Sequence, residues 1–106
     1  MSVIMTLWVK GDPKRLEEFA SGDPDRIRAI ADHARSRGVI AHRFYGSDDG
    51  QIMVIDEWPD EQSFQTFFQE QQEPIGSMMQ EAGVTSEPQV RFWRKLDTHD
   101  EIGWDS

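Results

Sequence analysis

Runs of apolar residues separated by turn-forming residues divide the chain into four predicted strands and two helical regions. Residues 3–9 are rich in β-branched and aromatic side chains, which predicts a strand that is apolar on both faces. Across residues 12–38, apolar side chains recur every three or four positions, and two Asp-Pro pairs mark two helix starts. The remaining elements are predicted as strands at 39–45, 51–58 and 87–96 and as a second helical region that begins at 59–61 and ends at Gly83.

The order of these elements is β–α–β–β–α–β. Residues 46–50 predict the turn of a hairpin between the second and third strands, and Pro74 predicts a break near Gln72 in the second helical region. This order is that of an α+β, ferredoxin-like domain, a four-stranded antiparallel sheet with helices on one face. We therefore expect one domain over residues 1–96, followed by an acidic tail over residues 97–106.

Helices on one face leave the other face of this sheet without a cover. In the first strand, Ile4 and Trp8 alternate with apolar neighbours, and in the third strand Met53 and Ile55 do the same, so both faces of the sheet carry apolar side chains. An exposed apolar patch of this kind marks an interaction surface. A second copy of the chain is the simplest partner, so we expect a homodimer that buries sheet against sheet.

Composition narrows the possible functions. The chain has 106 residues, 11 basic and 20 acidic side chains, a formal net charge of −9 and no cysteine. The absence of cysteine rules out disulfides, thiolate nucleophiles and cysteine-ligated metal sites. The negative charge opposes binding to nucleic acid and to anionic membranes. Because the apolar run at 3–9 lacks a basic leader and is too short to span a bilayer, we expect a cytoplasmic protein.

Large aromatic side chains are abundant for a chain that is only 37% hydrophobic. They are typical of a pocket for a flat ligand, or of an ordinary packed core, and the sequence leaves both interpretations open. The side chains expected to bind a small aromatic ligand are Trp8, Phe44, Trp58, Phe64, Phe67 and Met78.

His42 is the candidate catalytic residue. Alternation along the second strand places it on the same face as Phe44, and an imidazole facing the helices could act as an acid or base near neutral pH. The alternative is a histidine that only packs in the core or the interface. His33 and His99 are expected to face solvent, and the spacing of the three histidines predicts no metal site. Asp56 is assigned no chemical role, since it and Glu57 point to opposite faces of a strand.

The segment from the third strand into the following helix, VIDEWPDEQSF at 54–64, resembles the antibiotic-biosynthesis-monooxygenase-like domains of the dimeric α/β-barrel superfamily. The resemblance extends over about residues 3–96. Glu57, Trp58, Asp60, Ser63 and Phe64 fit the pattern of that family. It implies a dimeric barrel and an enzyme that oxygenates a planar aromatic or polyketide-like substrate without a metal or organic cofactor. His42 would then be the base, with Trp58 and Phe67 as walls of the pocket.

Two departures from the family pattern limit this expectation. Phe67 stands where many members carry a histidine, and haem-degrading relatives resemble one another in an iron-ligating histidine whose nearest positions here are Met78 and Met79. Haem degradation is therefore not expected. The alternative function is a non-catalytic, dimeric ligand-binding or stress-associated protein, which the missing helix histidine favours.

Overall fold

The computed structural model describes residues 1–103, so the last three residues of the predicted acidic tail lie outside the described part. The sheet has the strand order β2-β3-β1-β4, and all neighbouring strands are antiparallel. This arrangement confirms the predicted ferredoxin-like α+β fold. In chain order the elements are β1 (Val3–Lys10), α1 (Pro13–Gly22), α2 (Pro24–Ser36), β2 (Ala41–Ser47), β3 (Gln51–Trp58), α3 (Glu61–Glu70), α4 (Gln72–Glu81) and β4 (Gln89–Trp93).

Aspartate side chains begin two of the four helices as the sequence predicts. Asp12 accepts a hydrogen bond from the Lys14 backbone N–H at 2.9 Å, and Asp60 accepts one from the Ser63 backbone N–H at 2.7 Å. The predicted break near Gln72 is confirmed, because α3 ends at Glu70 and Pro74 lies in the first turn of α4. Proline is tolerated there because the N–H groups of a first turn have no partner within the helix.

The β2–β3 hairpin is tighter than the sequence predicts. Its loop spans the three residues 48–50 rather than the five residues 46–50, and Gly50 closes it with φ +85°, a conformation that favours glycine. Strand β2 correspondingly covers Ala41–Ser47 instead of residues 39–45. The shorter loop makes Ser47 the partner of Gln51, which places His42 directly opposite Asp56.

The two faces of the sheet differ in what covers them. Met5, Leu7 and Val9 alternate along β1 and are buried in one core with apolar side chains of all four helices. The intervening residues, among them Trp8, point to the opposite face and are only half-buried. The helices thus pack on one face, as predicted. No helix within residues 1–103 is both long enough and apolar enough to cross a membrane.

Candidate functional site

A cavity of about 570 Å³ lies between the helix-covered face of the sheet and the helices. Its volume falls within the range of small-molecule pockets, roughly 300–1,000 Å³. Its walls are mainly apolar and come from β1, β2, β3 and from all four helices, with Leu7, Val54, Ile27 and Ile75 as examples. The apolar walls and the modest size suit a small, largely apolar ligand.

His42, Asp56 and Trp58 form a hydrogen-bonded chain at this cavity. The His42 Nδ1 atom lies 2.6 Å from Asp56 Oδ1, and Trp58 Nε1 donates a hydrogen bond to Asp56 Oδ2 at 3.0 Å. Exposure to solvent increases from one hydrogen-bonded residue to the next: Trp58 is 0% exposed, Asp56 is 4% exposed, and the His42 side chain is 37% exposed. Both carboxylate oxygens of Asp56 therefore have partners, and only the imidazole is open to a ligand or to solvent.

The register of the hairpin explains why these three side chains meet. His42 and Asp56 are directly opposite each other on neighbouring strands, where Cβ atoms lie about 4.5–5.5 Å apart. Trp58 follows Asp56 by two residues and so projects from the same face of β3. The ring of Phe44, two residues beyond His42, meets the imidazole edge-on with 5.0 Å between centroids. The imidazole is thus fixed from two sides by residues of its own sheet.

This geometry sets the tautomer of His42. A carboxylate only accepts hydrogen bonds, so the imidazole nitrogen that faces Asp56 is the one that carries a proton. When the ring is neutral, the second nitrogen, Nε2, has a lone pair that can accept a proton from a ligand. A histidine oriented by a buried carboxylate in this way is suited to act as a general base. Among residues 1–103, no three His, Asp or Glu side chains are grouped as a metal ion would require.

Four of the six side chains predicted to bind a ligand line the cavity: Phe44, Phe64, Phe67 and Met78. Phe67 also packs near His33 of α2, with 6.1 Å between the centroids of the two rings. His42 lines the same cavity, so the predicted base and most of the predicted wall are brought together.

The two tryptophans predicted to bind the ligand lie elsewhere. Trp58 is fully buried behind the cavity and contacts Phe64 and Phe67 at centroid distances of 5.8 and 5.4 Å. Trp8 lies on the opposite face of the sheet, where its Nε1 donates a hydrogen bond to Gln51 Oε1 at 2.6 Å. Alternation along β1 explains this placement, because Leu7 and Val9 occupy the helix-covered face.

Asp56 is the site residue that sequence reasoning missed. Only the pairing of His42 with Asp56 across the hairpin reveals it, and that pairing depends on the loop length. A five-residue loop at 46–50 would have placed His42 opposite Val54. Counting back from a three-residue loop would have identified the carboxylate.

An ion-pair cluster joins the C-terminal end of α2, with Arg37 just beyond it, to the last residue of α3. Glu70 accepts hydrogen bonds from Arg37 Nε at 2.7 Å and from His33 Nε2 at 2.8 Å, and it forms a second contact with the Arg37 guanidinium. The hydrogen bonds from Arg37 and His33 hold the pKa of the Glu70 carboxyl below its ordinary value, and the hydrogen bond to Glu70 and its negative charge raise the pKa of Arg37. His33, expected to face solvent, is in fact partly covered here.

Comparison with known proteins gives similarity in structure but not in sequence. No protein-family profile and no curated protein matches the sequence. A conserved protein from Methanosarcina mazei is 15% identical and has a TM-score of 0.67, covering 91% of this chain and 94% of its own. An antibiotic biosynthesis monooxygenase is 12% identical with a TM-score of 0.63, covering 89% and 98%.

A monooxygenase from Streptomyces coelicolor, solved in complex with the ligand nanaomycin D, has the same fold. It is 18% identical, with a TM-score of 0.64, and the match covers 92% of this chain and 88% of that one. At such identities the likeness establishes the arrangement of strands and helices. The chain therefore has the four-stranded, ferredoxin-like fold of the antibiotic-biosynthesis-monooxygenase-like proteins.

Proposed function

We propose that the cavity binds a planar aromatic or polyketide-like molecule and that the protein oxygenates it without a metal or organic cofactor. The observation that carries this proposal is the His42–Asp56 pair, an oriented base at the wall of a mainly apolar cavity. The Streptomyces coelicolor monooxygenase supports it, because a protein of this fold has been solved with a small molecule bound.

The chemistry needs only a base, a dry pocket and dioxygen. His42 would remove a proton from a methylene carbon that lies between aromatic rings. The resulting carbanion would transfer electrons to dioxygen and form a carbon–oxygen bond, and the proton held by His42 would then pass to the peroxide. Loss of the second C–H proton together with hydroxide leaves a carbonyl and one water, so that CH₂ and O₂ become C=O and H₂O. The apolar walls would exclude bulk water from the carbanion.

Replacing His42 with alanine tests this function. With anthrone as substrate, we expect the rate of quinone formation to fall by about 10²–10⁴-fold, the usual contribution of a general base. Binding of anthrone, followed by tryptophan fluorescence, should change little because the walls of the cavity remain. His99→Ala, a control at an exposed histidine, should keep the wild-type rate.

Two outcomes would contradict the proposal in different ways. A His42→Ala variant with the wild-type rate would remove His42 from the base role. A wild-type protein that binds planar aromatics but turns none of them over would favour the non-catalytic ligand-binding function. The phenylalanine at position 67, where many similar proteins carry a histidine, is the feature of this chain that favours that alternative.

We also propose that two copies of the chain pair through the open sheet face. Ile4, Trp8, Met53 and Ile55 form an apolar patch on the face opposite the helices, and two tryptophan N–H groups there already have partners within the chain. Trp93 donates one of these hydrogen bonds, to Thr6 Oγ1 at 2.8 Å. An identical patch can cover these two indole N–H groups without leaving them unpaired.

Light scattering at micromolar concentration should give about twice the chain mass of 12.3 kDa. Ile55→Arg would place a further positive charge in the patch, directly opposite Arg43 on β2, and is expected to give a monomer. Ala29→Arg, a control on the exposed side of α2, should remain a dimer. A monodisperse wild-type monomer would contradict the proposed pairing.

A further inference from the structure

We infer that the ligand carries an acidic substituent, a carboxylate, that is bound by Arg28 and Arg35 at the rim of the cavity. This inference rests on the proposed ligand site and specifies the class of molecule that fits it. Both arginines line the cavity, as does Ala31 between them on α2. Positions 28, 31 and 35 follow the helical repeat and therefore share one face, with the arginines about 10 Å apart along the axis.

Arg28 and Arg35 differ from the other two arginines in and next to α2 in their hydrogen bonds. Arg26 donates to Glu81 at 2.9 Å and Arg37 donates to Glu70 at 2.7 Å, so these two are fixed in contacts between helices. Neither of them lines the cavity.

The two arginines at the cavity have only distant partners. Arg28 lies 4.0 Å from Asp25 and Arg35 lies 3.7 Å from Asp32, each three residues earlier on the same helix. These distances exceed those of a hydrogen bond, and the side chains are 69% and 80% exposed. Within residues 1–103, the guanidinium donors of this pair form no hydrogen bond, which leaves them open to a ligand.

The charge of the cavity differs from that of the chain. The formal net charge of the chain is −9, yet the ionisable side chains lining the cavity are Arg28, Arg35, His42 and Asp56. Both oxygens of Asp56 are already bound by His42 and Trp58, so the cations at the rim have no free carboxylate within the cavity. A guanidinium matches a carboxylate with two parallel hydrogen bonds, and here it would hold the acidic end of a flat molecule whose rings enter the apolar interior.

A matched pair of ligands tests the inference by titration calorimetry. The probes are 2-naphthoate and 2-naphthamide, which share their rings and differ in charge. The wild-type protein should bind the naphthoate about tenfold more tightly than the naphthamide. Raising the salt concentration should weaken the binding of the naphthoate and leave that of the naphthamide unchanged. Arg28→Gln and Arg35→Gln should each lower the affinity for the naphthoate about threefold and leave the affinity for the naphthamide unchanged. Arg94→Gln, an exposed control away from the cavity, should alter neither.

The outcomes separate this inference from the proposed function. Equal affinities of the wild-type protein for the two ligands would contradict the inferred acidic substituent and leave the cavity as a ligand site. The same would follow if both variants lost affinity for both ligands to the same extent. Failure of both ligands to bind would overturn the inference and the ligand site together.

Discussion

Replacing Trp58 with alanine is expected to lower the free energy of unfolding by about 3–5 kcal/mol, as removal of a buried aromatic side chain usually does. Trp58 is one of the two largest fully buried side chains, at 0% exposure, and it packs against the rings of Phe64 and Phe67. The substitution removes these contacts and also leaves Asp56 Oδ2 without its hydrogen-bond donor. Both losses occur in the interior, where water cannot readily compensate for them.

Urea unfolding followed by far-ultraviolet circular dichroism measures this effect, at one protein concentration because pairing of chains would also change the stability. Trp58→Phe helps to distinguish the two contributions, since it keeps one aromatic ring in the core and removes the N–H donor together with part of the indole ring. We expect a loss of about 1–3 kcal/mol for that variant. Leu96→Ala, at a residue that is 56% exposed, should change the stability by less than about 0.5 kcal/mol. A loss below 1 kcal/mol for Trp58→Ala would contradict the packing described here.

The fold could be predicted from the sequence because its signals are local. Asp-Pro pairs, aspartate caps and the three- and four-residue spacing of apolar side chains each report on a short stretch of chain. Pro74 placed the break between α3 and α4 correctly for the same reason, since its effect acts within one helical turn.

The hairpin register was predicted wrongly, because two glycines have different roles there. Gly50 adopts φ +85° and is a true turn residue. Gly46 lies within β2, where a Cβ atom would come within 2.6 Å of the Pro13 side chain. Glycine is therefore needed at position 46 for close approach to α1, a tertiary contact that no local pattern contains. Taking both glycines as turn residues moved the pairing by two positions and concealed Asp56.

The local sequence also does not predict on which face of the sheet each tryptophan lies. Trp8 and Trp58 have the same side chain and both lie in strands that are apolar on either side. Their roles differ because Trp58 faces the helices and Trp8 faces the open side of the sheet. Which face the helices cover depends on how the helices dock and not on these two residues. Alternation alone predicts two faces and does not say which one the helices cover.

Replacing Asp56 with asparagine is expected to move the proton on His42 from Nδ1 to Nε2 and to lower turnover as far as His42→Ala does. A carboxylate offers two acceptor oxygens, which serve His42 and Trp58, whereas an amide offers only one. The buried indole N–H has no access to water, so the amide oxygen should remain with Trp58. The amide NH₂ group then faces His42 and donates to Nδ1, which forces the ring proton onto Nε2.

Two-bond ¹H–¹⁵N correlation spectra of the imidazole identify the tautomer directly and need no substrate. The wild-type protein should show the proton on Nδ1, and Asp56→Asn should show it on Nε2. Asp48→Asn, in the exposed hairpin turn, should retain the wild-type tautomer and the wild-type rate. With Nε2 protonated, the only ring lone pair is on Nδ1, where it accepts the hydrogen bond of the amide and does not face the ligand, so the tautomer and the rate should change together. An unchanged tautomer in Asp56→Asn would contradict the orienting role of Asp56, and a changed tautomer with an undiminished rate would contradict His42 as the base.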